Sequence, residues 1–323
     1  MPIKNIINIF FNLYTIKMNT LTTFLIFLIV FFLYLHVMEH FKRSEDMEIY
    51  EMDFIDNKQA QQTFDIKQPV TFEFKNVSED FFHGSISKEK EDLEVKIKNK
   101  SDLDSGDYVL LPYRSAIKLM ETDSKSQYYS EHNEEFVIET AERECRKMDE
   151  HFKPNFTLQT KYDMMFGSRG AYTPIRYHTN YRQLMCVKSG KIHVKMTPWK
   201  SRKYLYPEND YEHYEFRSPV DVWNPQEKYL HDMDKLKFLE FDIHAGSVLY
   251  IPPYWFYSIK YSNESDNCVY CFTYNSIMNC VANSPKICMY FLQQHNIQKK
   301  VMKSLENVTI TENVNQPVDE STQ

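Results

Sequence analysis

Residues 246–257 read Gly-Ser-Val-Leu-Tyr-Ile-Pro-Pro-Tyr-Trp-Phe-Tyr, and few backbones accommodate such a run. Gly246 supplies a tight turn, the β-branched and aromatic residues from Val248 to Ile251 favour extended backbone, and Pro252-Pro253 stops the ladder. An aromatic cluster, Tyr254 to Tyr257, follows at once. Together these describe a strand that halts at the mouth of a β-barrel.

The rest of the chain has the means to build that barrel. With 323 residues, 42% hydrophobic and 15% aromatic, it can bury a large core. A net charge of −7 and the lack of any clustered Lys and Arg exclude general nucleic-acid binding, which needs cations against phosphates. The six cysteines, Cys145, Cys186, Cys268, Cys271, Cys280 and Cys288, lack the dense spacing of a disulfide scaffold. Cys268 and Cys271 form a C-x-x-C inside a strand-like run, where side chains three apart point to opposite faces, so the pair neither bridges nor chelates. There is no Gly-rich phosphate loop and no Gly-x-Ser-x-Gly elbow.

Residues 18–38 carry no Asp, Glu, Lys or Arg. As a helix they cover about 30 Å, the thickness of a bilayer core, and predict a transmembrane helix between an N-terminal segment, 1–17, and a juxtamembrane linker, 39–46. A cleaved signal peptide is disfavoured, because the apolar run is too long and no small-x-small site follows it. Lys4 and Lys17 on one side against Lys42 and Arg43 on the other leave the orientation open. Sequons at Asn76, Asn99, Asn155, Asn263 and Asn307 lean it towards a lumenal or exterior domain.

Further along, residues 68–74 read as a strand with Pro69 near its start. The charged run 85–107 predicts an exposed hairpin or insertion. Residues 133–148 predict a helix capped by Asn133, with Val137, Ala141, Cys145 and Met148 as its apolar stripe and Pro154 beyond its end. Ser284-Pro285 opens a C-terminal helical segment, 283–306, with Ile287, Phe291, Ile297, Val301 and Leu305 on one face. Residues 307–323 are polar and read as a disordered tail.

Several blocks then line up in order. Gly167-Ser-Arg-Gly-Ala-Tyr-Thr-Pro-Ile-Arg-Tyr-His is followed by Ser189-Gly190-Lys191, Thr197-Pro198 and Tyr204-Leu-Tyr-Pro207. Ser218-Pro-Val-Asp221 with Asn224-Pro225 and Phe241-Asp-Ile-His-Ala-Gly246 lead into the barrel-mouth stretch. This order resembles the JmjC/cupin-like, asparaginyl-hydroxylase-like family of Fe(II)- and 2-oxoglutarate-dependent dioxygenases. The resemblance implies a mainly β fold with flanking helices, a double-stranded β-helix or jelly-roll, over residues 47–282.

It also implies where a metal site belongs. The family holds Fe(II) with a His-x-Asp pair and a distal His, a ligand set that suits that ion and leaves positions open for 2-oxoglutarate and oxygen. Anchored on Thr173-Pro174, those positions fall on Arg176, His178 and Tyr257; anchored on Gly190, the first two fall on Tyr177 and Thr179. The first register is favoured. No alignment restores the full triad, and a guanidinium cannot coordinate a cation, so His178 is the one remaining candidate ligand. The implied co-substrate pocket positions are Thr173, Gln183 and Ile192, the last standing where the family has a Lys. His193, His231 and His244 read as structural or exposed, and Trp199, Trp223 and Trp255 as core or rim aromatics.

The sequence is therefore read as a membrane-anchored, single-pass, catalytically degenerate dioxygenase relative, a binding or structural module without a cofactor. A protein or small anionic ligand is expected at the barrel mouth near Arg176 and a homodimer through the C-terminal helix, with no nucleic acid. An active Fe(II)/2-oxoglutarate hydroxylase or demethylase with atypical ligands, and a purely structural envelope or organelle-membrane protein, are the alternatives.

Overall fold

The computed structural model describes residues 20–74, 81, 86–100, 108–263 and 266–297, divided into two units, Met1–Lys42 and Arg43–Gln323. The expected segment 1–17, the tail 307–323, and the sequons Asn76 and Asn307 lie outside the described residues. In the first unit α1 (Thr20–His40) is one helix. From Thr22 to His40 it is long and apolar enough to cross a membrane, with a mean hydropathy of 2.0.

In the second unit, the strands sort into two sheets by how they are covered. Among the described residues the larger sheet has the order β1 (Tyr50–Glu51), β2 (Val70–Glu73), β13 (Ser247–Ile251), β8 (Arg182–Ser189), β15 (Cys268–Ser276), β6 (Thr157–Gly167), β5 (Tyr128–Ser130), β3 (Glu94–Asn99) and β4 (Val109–Pro112). The smaller one runs β10 (Glu208–Asp210), β11 (Glu215–Arg217), β7 (Arg176–Tyr177), β14 (Phe256–Tyr261), β9 (Lys191–Thr197) and β12 (Leu239–His244). From β6 to β9 and again from β12 to β15 the chain steps between the two sheets. That weave is the double-stranded β-helix the sequence led us to expect.

The strand patterns explain the layers. In β8 the residues from Arg182 to Val187 are all buried, because both faces of the strand are covered. Met185 and Val187 point into the barrel with Ile192, Val194 and Met196 of β9, Ile259 of β14 and Leu249 of β13. Leu184 and Cys186 point the other way, onto a second core with Phe64 of α2 (Asn57–Phe64), Met120 of α3 (Tyr113–Thr122), and Cys145, Met148 and Phe152 of α4 (Glu134–Phe152). Each such side chain contributes about 1.5–3 kcal/mol when fully buried. The β9 strand alternates instead, with Lys191, His193 and Lys195 partly exposed on the outer face.

The opening stretch folds as its residues require. Gly246 has φ of 92°, a left-handed turn that glycine adopts without steric cost, and its N–H donates to the Val187 carbonyl at 2.9 Å. Tyr250 and Ile251 end β13, and the Pro252-Pro253 turn reverses the chain into β14.

Three expectations need correction. The charged run 85–107 is not an exposed insertion where it is described: β3 pairs with β4 and β5 inside the large sheet, burying Val95, Ile97 and Lys98. Asn133 precedes α4 but makes no side-chain cap. Its amide donates to Ser130 and the Met164 carbonyl and accepts from the Lys96 N–H, tying three elements together. α4 also runs on to Phe152 and bends at Ala141, whose φ is −140°. The C-terminal segment opens at residue 284 as expected, its residues 298–306 lying outside the described residues, and the short α5 (Arg202–Leu205), α6 (Leu230–Met233) and α7 (Ile277–Ala282) precede it. Ser276 caps α7 by accepting from the Asn279 N–H, and residues 284–297 then form α8, with Phe291 64% exposed.

Candidate functional site

Register brings Arg176 and Tyr257 together. They are direct cross-strand partners in the antiparallel β7–β14 pair, and the guanidinium carbon lies 5.7 Å from the Tyr257 ring centre. Alternation along both strands turns these two side chains into the barrel and their neighbours Tyr177 and Phe256 outward, where those rings meet at 5.2 Å. Tyr177, the other register's first position, therefore faces away from the barrel interior.

Arg176 is met by an acid from its own chain. Its Nη1 and Nη2 donate to the two carboxylate oxygens of Glu131 at 2.9 and 2.5 Å, a forked geometry that guanidinium suits. Glu131 is 1% exposed and also accepts from Lys98 Nζ at 3.0 Å. Glu215 of β11 closes the cluster, 3.4 Å from Lys98 Nζ, 3.7 Å from Arg176 Nη1 and in contact with His132 Nε2, while Arg217 Nε lies 3.1 Å from its second oxygen.

The loop holding Glu131 and His132 is pinned from below. His132 has φ of 64°, a left-handed backbone conformation unusual for a residue with a Cβ. Asp163 of β6 fixes it by accepting from the His132 and Asn133 N–H groups at 2.9 and 2.6 Å.

Electrostatics follow from burial against charge. Burial would raise Glu131, but Arg176 and Lys98 hold its carboxyl well below the usual range. Glu215 is likewise lowered, against its burial, by His132 and Lys98. Burial would lower His132, yet its bonds to Glu131 and Glu215 raise it to about 9, so it is an imidazolium at neutral pH. Lys98, Arg176 and His132 thus face Glu131 and Glu215, with positive charge in excess.

The other expected site residues separate into local roles. His178 Nε2 donates to the Ile251 carbonyl at 3.0 Å, and its Nδ1 accepts from the Asn180 N–H at 3.2 Å, so both ring nitrogens are engaged. Burial lowers it to about 3, leaving a neutral imidazole. Tyr257 OH accepts from Gln183 Nε2 at 2.9 Å, and burial raises the phenol so that it keeps its proton. Thr173 binds backbone, its Oγ1 accepting from the Ile259 N–H at 3.1 Å, and Thr179 Oγ1 lies 3.4 Å from Tyr214 OH. Ile192 is fully buried in the barrel core. Lys191 beside it points outward to Asp242 at 3.3 Å.

Glu131, His132 and Glu215 each offer a donor atom within 4.8 Å of the others, a group that could hold a metal ion. Sequence reading missed this cluster, because Glu131 meets partners 33 and 45 residues away and Glu215 meets one 117 residues away. The one local signal was Lys98 in a strand whose alternate residues Val95 and Ile97 are apolar, which places a lysine on the barrel side. His193 pairs with Asp242 on the outer face, apart from this cluster. A cavity of about 410 Å³ lies elsewhere, between α3 and the far ends of β6 and β8, lined by Tyr113, Ile117, Phe166 and Ser189.

The sequence profile of the cupin-like domain matches residues 36–280, well over half of the chain. The chain belongs to the cupin-like domain family. The cupin-like domain here is also similar to JmjC domain-containing protein D of Dictyostelium discoideum, 28% identical over 99 residues, which is 31% of this chain and 22% of that protein. The chain therefore matches less than a quarter of that relative's length. In this cupin-like domain the expected metal-ligand positions are Arg176, His178 and Tyr257, and they sit where β7, the following loop and β14 meet.

Proposed function

We propose that the chain is a membrane-anchored cupin-like module whose barrel mouth has exchanged iron chemistry for an internal ion-pair lock. The observation that carries this reading is the forked pair between Arg176 and Glu131, directly across from Tyr257. A permanent cation with its own carboxylate takes the place in which the family sets a ligand. The Thr173-Pro174 register is supported by the inward placement of Arg176 and the outward placement of Tyr177.

These residues do not fit Fe(II). A guanidinium cannot coordinate, His178 has no free ring nitrogen, and Tyr257 is a neutral phenol. Ile192 offers no charge to a 2-oxoglutarate carboxylate. An external anion at Arg176 would have to displace Glu131, which makes the mouth a structural element and sends ligand binding to another surface. The apolar helix from Thr22 to His40 supports the anchor. Asn155 and Asn263 are exposed, which suits a lumenal or exterior domain; an endoglycosidase-sensitive mass on the expressed chain tests that side.

One observation favours a second reading, an oxygenase with atypical ligands: Glu131, His132 and Glu215 converge. Against it, a metal there must expel a proton from an imidazole raised to about 9 and compete with Lys98 and Arg176 for the same oxygens. Metal analysis of the purified full chain after anaerobic incubation with Fe(II) and 2-oxoglutarate, followed by exposure to oxygen and an assay for succinate, separates the two. We expect no stoichiometric iron and no succinate. One equivalent of iron lost in Glu131→Gln, with succinate formed, would establish the second reading instead.

A further inference from the structure

The small sheet's outer face, behind the mouth, carries an arrangement that the ion-pair lock does not use. Tyr177 stacks on Phe216 at 4.9 Å and meets Trp199 edge-on at 4.9 Å, while Trp199 stacks on Phe256 at 5.7 Å and Tyr254 stands 5.3 Å from Trp199. Three cations lie on this platform. The Arg43 guanidinium is held between Trp199 and Tyr254, 4.4 and 4.2 Å from their ring centres. Arg202 lies 5.2 Å from Trp199, and Lys286 Nζ lies 4.5 Å from Phe216 and 5.4 Å from Tyr254.

Aromatic faces attract and orient a cation but do not neutralise it. Among the described residues none of the three has a carboxylate at ion-pairing distance, although the chain holds 45 Asp and Glu against 38 Lys and Arg. The buried cations Arg176 and Lys98, by contrast, are matched with acids. Arg43 Nε is buried with no hydrogen-bond acceptor. Like charges are also felt across the cluster: burial and the charge of Arg43 lower Lys286 to about 8, and Arg202 adds to the lowering of Arg43 by burial. Positive groups gathered on a pre-formed surface, oriented and lacking a counter-ion, are the components of an anion site.

We propose that Arg43, Arg202 and Lys286, set on the Trp199–Tyr254–Tyr177 platform, bind a phosphate group. A guanidinium fork and an ammonium match a tetrahedral oxyanion, and the aromatic edges suit whatever the phosphate is attached to. Arg43 follows the end of the apolar helix at His40 closely in sequence. The phosphate therefore has two sources, the headgroup of an anionic lipid or a soluble phosphate.

The test uses the full chain in phosphatidylcholine nanodiscs. One arm titrates inorganic phosphate by calorimetry, and the other replaces part of the lipid with phosphatidic acid and follows thermal unfolding. Saturable phosphate binding, or stabilisation by phosphatidic acid alone, is expected, and which arm responds identifies the source. Arg43→Gln and Lys286→Gln should each weaken the response roughly tenfold or more, while Lys118→Gln, on α3, leaves it unchanged. No response in either arm, or an equal response in Lys286→Gln, overturns the proposal. Lys286 is half-buried on α8, so its variant keeps the test decisive if Arg43→Gln fails to fold.

Discussion

Glu131 and Arg176, 45 residues apart in sequence, form a two-point ion pair at 2.9 and 2.5 Å inside the barrel mouth. Both are nearly free of solvent, so each is tolerated because the other is there.

Removing Glu131 leaves Arg176 with Glu215 alone, at 3.7 Å, and adds to the excess of buried positive charge. Glu131→Leu should destabilise the domain by about 3–5 kcal/mol, and Arg176→Met by less, because Lys98 still pairs with Glu131. The double variant Glu131→Leu/Arg176→Met should recover much of the loss, since paired replacement by apolar groups is often near neutral. Chemical denaturation of the four proteins of the cycle measures the coupling. Additive losses would mean that the two side chains act independently.

Stability should peak near neutral or slightly acidic pH. His132, raised to about 9, contributes stability that is complete below its unfolded value of about 6.5 and is lost as pH rises through 9. His178, lowered to about 3, works in the other direction: between about 6.5 and 3 the unfolded chain takes up a proton that the folded chain refuses. The lowered carboxyls of Glu131 and Glu215 add a further loss below about pH 4.5, where the unfolded acids protonate first. Melting temperature against pH gives the profile, and His132→Gln should flatten its alkaline limb selectively.

Arg182 ties the barrel to its helical layer. Its guanidinium donates to the Phe152 carbonyl at 2.5 Å, to Asn57 Oδ1 at 3.1 Å and to Gln61 Oε1 at 2.8 Å, joining β8 to α2 and the end of α4. Arg182→Met should cost about 3 kcal/mol or more, because buried acceptors lose their donor. Arg182→Lys should not rescue it, having no planar fork. Faster proteolysis near α2 would accompany the loss.

Tyr257→Phe is the mild counterpart. It removes the acceptor of the Gln183 amide but keeps the ring, and should cost about 1–2 kcal/mol by urea denaturation. A loss of much more than that would show that the phenol holds the mouth together beyond this one bond.

The sequence by itself determined the scaffold. Glycine, a β-branched run and Pro-Pro at 246–253 fix a turn, a strand and a stop through local backbone preference, and the alternation of Ile192, Val194 and Met196 with Lys191, His193 and Lys195 fixes which side of β9 is buried. The resemblance of its ordered blocks to the dioxygenase family also implied that Arg176, His178 and Tyr257 share one end of the barrel. What the sequence could not supply is which charge meets which. Glu131, Lys98 and Glu215 reach Arg176 from separate strands and a loop, and Arg43, Arg202 and Lys286 reach one aromatic platform from three distant segments. Ion pairing and cation–π contact act through space, with no period along the chain to reveal them, so only the tertiary structure decided both clusters.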